Sequence, residues 1–262
     1  MSRFSNYLHS MYVWTIALLL LMAIIESASR GFPTNLSIAI ISAAVLDLLI
    51  KKIALKRRLT IPFSAIISGI IIGSIVPFNA PVSVVVLASA LALLSKFLIR
   101  WDGHVFNPAT LGLLVALSLF SLGDEWWAAG ASINVAGVAM TLTPLLILAS
   151  YKAGKLSTSV TFLVVIGMLS HITGIVTLNS LNAADIIRFF DGLPYYFGFI
   201  MVAEPRTSPY ARKEQMVFGS GVAILSVLLT LYSSFYSLFA ALLMWNLVYA
   251  IYRNRASNKY AK

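Results

Sequence analysis

The stretch best suited to binding chemistry is HVFNPATLG, which lies near the middle of the chain between two apolar runs. Pro108 suits the first turn of a helix, and Asn107 before it is a good N-cap. We expect a helix to begin here, with its unpaired N–H groups and the Thr110 hydroxyl facing whatever lies in front. At an aqueous surface this is ordinary capping. At membrane depth it is a binding site, because irregular backbone there must line a cavity or be buried in protein.

A second candidate is the segment EPRTSP, which combines a helix break with hydrogen-bonding side chains. Its Glu204, Arg206, Thr207 and Ser208, together with Asn107, have the groups to hold a planar, polar ligand. The alternative is a capped turn at the cytoplasmic surface, in which Glu204 and Arg206 are solvated.

The sequence contains no residue pattern that is typical of other catalytic sites or of a metal site. There is no Cys, which excludes disulfides, thiolate-ligated iron–sulfur clusters and Cys-based catalysis. The 3 His are dispersed, so we expect no metal or haem site. No Ser/His/Asp triad, P-loop or GxGxxG is present, and no catalytic residue is predicted.

The composition predicts an all-α membrane protein. Of the 262 residues, 60% are hydrophobic and 11% are charged, and the mean hydropathy is +0.90. The apolar runs are close to the roughly 17–25 residues that cross a bilayer, and no cleavable signal pattern precedes the first. They predict ten transmembrane helices, at about residues 10–29, 34–55, 61–77, 80–99, 106–122, 133–150, 157–178, 184–203, 215–233 and 236–252.

The positions of Lys and Arg indicate the topology, since positive charge collects on the cytoplasmic side of membrane proteins. With the N-terminus inside, all of the 19 Lys and Arg except Arg30 and Arg188 fall in inside segments. We therefore expect one multi-pass domain over residues 1–262 in the cell membrane, surrounded by lipid, with both termini cytoplasmic. Both candidate segments then lie near the inner face, and the net charge of +10 needs no nucleic-acid partner.

The third and eighth predicted helices share a pattern of a Gly, an apolar run and two prolines. The residues are Gly69, Pro77 and Pro81 in the third, and Gly198, Pro205 and Pro209 in the eighth. The patterns lie about half a chain apart, which indicates two five-helix repeats, about 10–122 and 133–252, of opposite membrane orientation. Broken helices at matching positions of inverted repeats point to a site near the midplane. The alternative is that Gly and Pro are simply common in transmembrane helices.

Two further features have local explanations. Asp47 has Lys51 four residues on, which predicts an ion pair on one helix face. Trp126 and Trp127, in the outer loop after the fifth helix, are either an interfacial anchor or a stacking face for a ring system.

Three motifs together indicate a family: SGIIIGSIVPFNAP at 68–81, HVFNPATLG at 104–112 and FIMVAEPRTSP at 199–209. Between about residues 40 and 255 the chain resembles the RnfD/NqrB family, which are membrane components of the Rnf electron-transport complexes and of the Na⁺-translocating NADH:quinone reductase (Nqr). FNPA and EPRTSP are the most specific elements, with Glu204 where the family has Asp. The resemblance implies ten helices in two inverted halves, distantly like urea transporters.

The resemblance also implies flavin. Family members carry an FMN joined by a phosphoester bond to a Thr after the FNPA helix, and the resemblance allows a riboflavin nearer the inner face. The closest match to the attachment motif in this chain is Ala129-Gly130-Ala131-Ser132, where Ser132 stands in place of Thr. Ser132 is thus the predicted covalent site, and Trp127 a predicted stacking residue.

These features predict a membrane-embedded electron-transfer subunit of an Rnf/Nqr-type ion-translocating oxidoreductase, with flavin between its two halves and other membrane subunits as partners. Asn107, Pro108 and Thr110 would line the site from one repeat, and Glu204, Arg206, Thr207 and Ser208 from the other. The alternative is a channel or transporter for a small polar solute on the same architecture. A structural assembly subunit is a third possibility.

Overall fold

The computed structural model describes residues 3–56, 58–101, 103–128, 136–174, 193–232 and 236–260. This part of the chain is all-helical, as predicted, apart from one short hairpin. Its α-helices are α1 Arg3–Arg30, α2 Thr34–Leu49, α3 Phe63–Ile75, α4 Val82–Leu98, α5 Pro108–Leu119, α6 Ala136–Lys152, α7 Leu156–Ile172, α8 Leu193–Tyr196, α9 Arg212–Tyr232 and α10 Ser237–Tyr260. Two π-helices, Ile50–Ala54 and Phe197–Val202, continue α2 and α8.

Two helical segments in the described part of the chain have the length and apolar composition to cross a bilayer, Met11–Ala28 in α1 and Arg212–Tyr232. A buried core helix or a signal sequence has the same properties, so this finding alone is weak evidence for a membrane protein. The other apolar helices are shorter than the predicted spans. Several begin or end beside a proline, which sets their length.

The third helix is short and continuous. α3 follows Pro62 and runs without interruption to Ile75, after which Val76 turns the backbone to an extended conformation before Pro77. At 1.5 Å per residue its 13 residues extend about 20 Å, short of the ~30 Å hydrocarbon core. The predicted break thus lies at the end of this helix and not inside it.

The eighth helix is irregular where it is described. One α-helical turn, Leu193–Tyr196, continues as the π-helix Phe197–Val202, which ends before Pro205. The earlier part of this predicted span lies outside the described residues. π-Helical turns are rare in proteins, and those that occur are often found at functional sites. This π-helix is the irregular element beside the EPRTSP motif.

The chain divides into two compact units. The first comprises Met1–Ile99 and Pro108–Ala129, and the second comprises Arg100–Asn107 and Gly130–Lys262. The division at residue 129 falls between the two predicted repeats. The segment before α5 belongs to the second unit, although the helices on either side of it belong to the first.

In the first unit, α2 packs against α3 and α4, α4 packs against α5, and α1 packs against α3. Glycine permits the closest approaches. A Cβ at Gly69 of α3 would lie 2.7 Å from the carbonyl oxygen of Ala39 on α2, and one at Gly112 of α5 would lie 2.2 Å from that of Ala88 on α4. Both distances are below van der Waals contact, so a larger residue would push these helices apart.

In the second unit, α7 packs against α9 and the π-helix Phe197–Val202, α9 packs against α10, and α6 packs against the same π-helix. A Cβ at Gly219 of α9 would lie 2.4 Å from the carbonyl oxygen of Thr158 on α7. When the helices are numbered from the start of each unit, four pairs are in contact in both: first with third, second with third, second with fourth, and fourth with fifth. The third helix also packs against the fourth and fifth in the first unit, and the first helix packs against the second in the second unit.

A hairpin lies between α4 and α5, where β1 Arg100–Trp101 pairs antiparallel with β2 Gly103–His104. Arg253 of α10 donates a 3.3 Å hydrogen bond to the carbonyl oxygen of His104, so the hairpin contacts the last helix of the second unit. The hydropathy pattern does not predict this hairpin, because two residues per strand are too few to show an alternation.

Candidate functional site

The predicted helix begins at Pro108, directly after Asn107. Asn107 is buried, and its Nδ2 donates a 3.1 Å hydrogen bond to the carbonyl oxygen of Met201. The two residues are 94 positions apart in sequence and belong to the second unit. The bond therefore joins the FNPA motif to the segment that carries EPRTSP.

Met201 accepts this bond because of its place near the end of the π-helix Phe197–Val202, which is buried throughout. The carbonyl groups at a helix end lack some of their intrahelical partners, and a buried carbonyl needs a donor. The N–H of Ala203 donates to the Met201 oxygen, and Asn107 supplies a second donor. The N–H of Glu204 also donates to this oxygen, at 3.4 Å.

The EPRTSP segment is a turn held by its own side chains. Oγ1 of Thr207 donates to the carboxylate of Glu204 at 2.9 Å, and Oγ of Ser208 donates to the backbone oxygen of Glu204 at 2.6 Å. Thr207 and Ser208 are buried, Glu204 is half-buried and Arg206 is exposed. The hydroxyl groups are thus committed to the turn, and Arg206 is its solvent-facing cation.

Lys155, which precedes α7, contacts this turn from another segment of the chain. Its side chain is fully buried, and Nζ donates 2.8 Å hydrogen bonds to the carbonyl oxygens of Ser208 and Pro209. Nζ also lies 3.3 Å from the ring centroid of Tyr210, which is a cation–π geometry. No motif in the sequence indicates this role, because it depends on contacts between distant segments.

The surroundings of Lys155 lower its pKa. Burial disfavours the charged form and lowers the pKa from 10.5 to about 7, while the negative charge of Glu204 opposes the shift. Both protonation states of Lys155 are therefore populated near neutral pH.

A similar contact holds the proline-containing turn of the first unit. Asn35, at the start of α2, is buried, and its Nδ2 lies 3.0–3.2 Å from the carbonyl oxygens of Pro77, Phe78 and Ala80. In each unit, the start of the second helix therefore supplies a buried donor to the backbone carbonyls of the turn that follows the third helix.

Trp127 has a structural role in the first unit. Its Nε1 donates a 2.8 Å hydrogen bond to the carbonyl oxygen of Gly73, and the N–H of Glu125 donates to that of Ile75 at 2.9 Å. The segment after α5 thus caps the C-terminus of α3. The indole of Trp127 is fully buried and packs edge-on against Phe78. Its role as a stacking residue for a ring system stays a prediction.

The other predicted residues are placed as follows. Pro108 and Thr110 are buried in the first turn of α5, in the first unit. Ser132, the predicted attachment point for FMN, lies outside the described residues. The predicted pair of Asp47 with Lys51 is confirmed, and Lys96 of α4 joins it at 2.8 Å from the fully buried carboxylate.

Two side chains of the second unit, Asn246 and Arg206, are of types that bind planar rings and phosphate. Asn246 of α10 is fully buried, and neither atom of its amide has a hydrogen-bond partner among the described residues. A primary amide matches a ring edge with a carbonyl next to an N–H, because it donates to one and accepts from the other. The exposed guanidinium of Arg206 suits a phosphate. An amide and a guanidinium are the kinds of group that bind the ring edge and the phosphate of a flavin nucleotide.

The sequence contains a signal for Asn246, since a polar residue within a long apolar run is a candidate functional position. No protein-family model matches the chain, and no curated protein matches it either. The family resemblance of the FNPA and EPRTSP motifs therefore stays a prediction.

Proposed function

We propose that this protein is a membrane-embedded, flavin-binding electron-transfer subunit of an Rnf/Nqr-type ion-translocating oxidoreductase. The observation that carries the proposal is the hydrogen bond between Asn107 and Met201. It joins the two segments that carry the family resemblance, although they are far apart in sequence. The proposed partners are the other membrane subunits of such a complex.

The membrane environment is supported by the exposed surface of α7. Val160, Val164, Met168 and Ile172 recur every four residues and are all exposed, so they form an apolar stripe about 18 Å long on one helix face. In water such a stripe promotes association, whereas lipid chains cover it. With the distribution of Lys and Arg, this supports ten spans in the cell membrane and cytoplasmic termini.

Two inverted repeats are supported by the packing within each unit. Four of the helix pairs in contact are the same in both units. Asn35 and Lys155 also make corresponding contacts, each from the start of the second helix to the turn after the third. A repeat of five helices would cross the membrane in the opposite orientation to its copy, because five is odd.

Flavin would supply the one-electron transfer. The chain's own residues would bind and orient it. The Asn246 amide would bind the ring edge, and Arg206 would bind phosphate or a ring carbonyl. Asn107 and Glu204 would act indirectly, because Asn107 fixes the end of the π-helix and Glu204 orders the hydroxyls of Thr207 and Ser208. Ser132 would be the attachment point of a covalent FMN.

The absorption spectrum of the purified protein tests flavin binding. Protein extracted from membranes in mild detergent should be yellow. On denaturation, a covalently attached flavin should stay with the protein and a non-covalent one should be released. Asn246→Leu should lower the flavin content, whereas the same change at the half-exposed Asn254 of the same helix should not. Colourless protein that stays colourless after incubation with FMN and riboflavin would contradict the proposal.

In-gel fluorescence tests the covalent bond separately. A phosphoester-linked flavin stays with the denatured band, and Ser132→Ala should abolish that signal while Ser118→Ala, at an exposed hydroxyl on α5, leaves it unchanged. A fluorescent band that persists in Ser132→Ala would exclude Ser132 as the attachment point.

The buried amide of Asn246 also favours a second candidate function, transport of a small polar solute such as an amide. Vesicles that contain the protein would then take up solute faster than empty vesicles, and Asn246→Leu would abolish the difference. Uptake by flavin-free protein would favour this function over electron transfer.

A further inference from the structure

We propose that the segment between α2 and α3 binds an anionic phospholipid, with the lipid headgroup on its basic side chains and an acyl chain on the exposed face of α2. We call residues 50–61 the basic loop. The proposal concerns the first unit alone. It rests on the proposed membrane environment and does not depend on the presence of flavin.

The basic loop carries an excess of positive charge. Its stretch KKIALKRRLT contains five Lys and Arg residues and no Asp or Glu. Lys51 is neutralised, because it pairs with the buried carboxylate of Asp47, which Lys96 also contacts at 2.8 Å. Three other cations of the loop are exposed and form no ion pair within the described part of the chain: Lys52, Lys56 and Arg58. The loop therefore attracts anions.

The backbone keeps these cations in one short turn. The π-helix Ile50–Ala54 continues α2, and Lys56, with a φ of 49°, has the left-handed conformation that often follows a helix end. Nζ of Lys51 donates a 3.4 Å hydrogen bond to Oγ1 of Thr60, which brings the two ends of the loop together. The exposed cations therefore belong to a turn that is closed at its base.

An apolar stripe on α2 leads to this turn. Its residues recur every four positions and are each between 45% and 69% exposed: Ile41, Val45, Leu49 and Ile53. At 1.5 Å per residue the stripe is about 18 Å long, slightly more than half of the ~30 Å hydrocarbon core. Ile53 follows Lys52 directly, so the stripe ends at the cations. Leu59 and Ile61 add exposed apolar side chains to the loop itself.

An anionic phospholipid matches both features at once. Its headgroup would bind Lys and Arg, and its acyl chain would cover the stripe on α2. A free phosphate or a nucleotide would use the cations but would leave the apolar side chains in water. A zwitterionic lipid would cover the stripe, but its headgroup brings a cation of its own. In the proposed topology the loop lies at the cytoplasmic face between two spans, which is the level of the headgroups.

Other exposed cations assigned to the same face have different surroundings. Arg212 and Lys213 begin α9 and are followed directly by Glu214, and Arg255 lies on α10. These three side chains are as exposed as those of the basic loop, but they are not interleaved with a stripe of the same kind. They therefore provide a matched control for the effect of positive charge alone.

Lipid selectivity measured at the loop itself tests the proposal. The chain has no Cys, so Ala54→Cys, at an exposed position of the loop, takes a single bimane fluorophore. Val164→Cys, on the exposed stripe of α7, takes the same label as a reference. Each protein is reconstituted in mixtures of phosphatidylglycerol and phosphatidylcholine in which one of the two lipids carries bromine on its acyl chains. Bromine quenches a nearby fluorophore, so the two quenching values give the relative occupancy of the two lipids beside the label.

The expected result is that phosphatidylglycerol is enriched beside the loop label by about fivefold or more, which is the effect of one Lys or Arg near an anionic surface. The label at Val164 should show no enrichment. Replacing Lys52, Lys56 and Arg58 by Gln should abolish the preference at the loop, whereas replacing Arg212, Lys213 and Arg255 by Gln should leave it unchanged. Salt at about 1 M should weaken it, because the Debye length falls to ~3 Å.

Equal occupancy of the two lipids at the loop, with quenching at Val164 intact, overturns the proposal and leaves the membrane environment in place. A loop label that neither lipid quenches, beside a quenched label at Val164, also overturns it and indicates another occupant, such as an acidic protein surface. If neither position is quenched, the membrane environment itself is contradicted. The lipid preference of the labelled protein with all its charges decides the matter even where a charge variant does not fold. Flavin takes no part in the assay, so its failure would leave flavin binding intact.

Discussion

The indole N–H of Trp127 donates a 2.8 Å hydrogen bond to the carbonyl oxygen of Gly73, 54 residues earlier in the chain. Gly73 lies in the last turn of α3, whose final carbonyl groups have no partner within the helix. The loop after α5 thus completes the hydrogen bonding of a short, buried helix end. This explains how α3 can stop at Ile75 within an apolar segment without leaving the carbonyl groups of Gly73, Ser74 and Ile75 unpaired.

Trp127→Phe should destabilise the protein by about 1–2 kcal/mol, because the buried oxygen of Gly73 loses its donor while the aromatic packing largely remains. The measurement is the melting temperature in detergent, which should fall by a few degrees. Trp101→Phe, at a half-exposed indole in the hairpin, is the matched control and should change it little. Equal effects of the two substitutions would show that the bond to Gly73 contributes nothing.

The positions of the helices were predictable, because long apolar runs and prolines are local signals. α5 begins at Pro108 as predicted, and α3 lies between the predicted prolines. The ends of the helices were less predictable. The π-helix Phe197–Val202 and the hairpin at Arg100–His104 depend on partners elsewhere in the chain, such as Asn107 and Arg253.

The candidate site was also predicted only in part, because motifs are local signals whereas several of its contacts join distant segments. The motifs indicated Asn107 and the EPRTSP segment, and the structure brings them together through Met201. Lys155 carried no signal, since a lysine between two apolar runs is ordinary in a cytoplasmic loop. The structural role of Trp127 also carried no signal, because an exposed and a buried tryptophan look alike in sequence.

Asn35→Ala should destabilise the protein by about 1–3 kcal/mol, because the carbonyl groups of Pro77, Phe78 and Ala80 lose a shared buried donor. Asn35→Asp should destabilise it more, because a carboxylate would face the same oxygens. Thermal unfolding followed by intrinsic fluorescence measures both. Asn79→Ala, at an exposed asparagine in the same turn, is the control and should be close to neutral. A stable Asn35→Asp variant would mean that the amide is not the donor.

Asn246→Leu should stabilise flavin-free protein by about 1–2 kcal/mol, because an amide without partners is replaced by an apolar side chain of similar size. The melting temperature of flavin-free protein in detergent measures this. Asn254→Leu, at a half-exposed position of α10, should have a smaller effect. Destabilisation by Asn246→Leu would indicate that the amide is hydrogen-bonded in the folded protein, and its role as a ligand-binding group would then need another basis.

The stability of the whole protein should rise with pH above neutrality because of Lys155. In the folded state its pKa is about 7, and in the unfolded state it has the ordinary 10.5, so between these values the unfolded state binds more protons. Stability therefore increases with pH across this window, by up to about 1.4 kcal/mol per pH unit, and below 7 Lys155 contributes no slope.

The difference in unfolding free energy between the wild type and Lys155→Arg isolates this slope, because the other titrating groups are common to both proteins. Denaturant unfolding at several pH values from 6 to 9 gives the difference directly. It should be constant from pH 6 to about 7 and should then increase in favour of the wild type. A difference that decreases with rising pH would mean that the folded protein prefers the ammonium form of Lys155. The ring of Tyr210 and the charge of Glu204 would then outweigh the effect of burial on the pKa of Lys155.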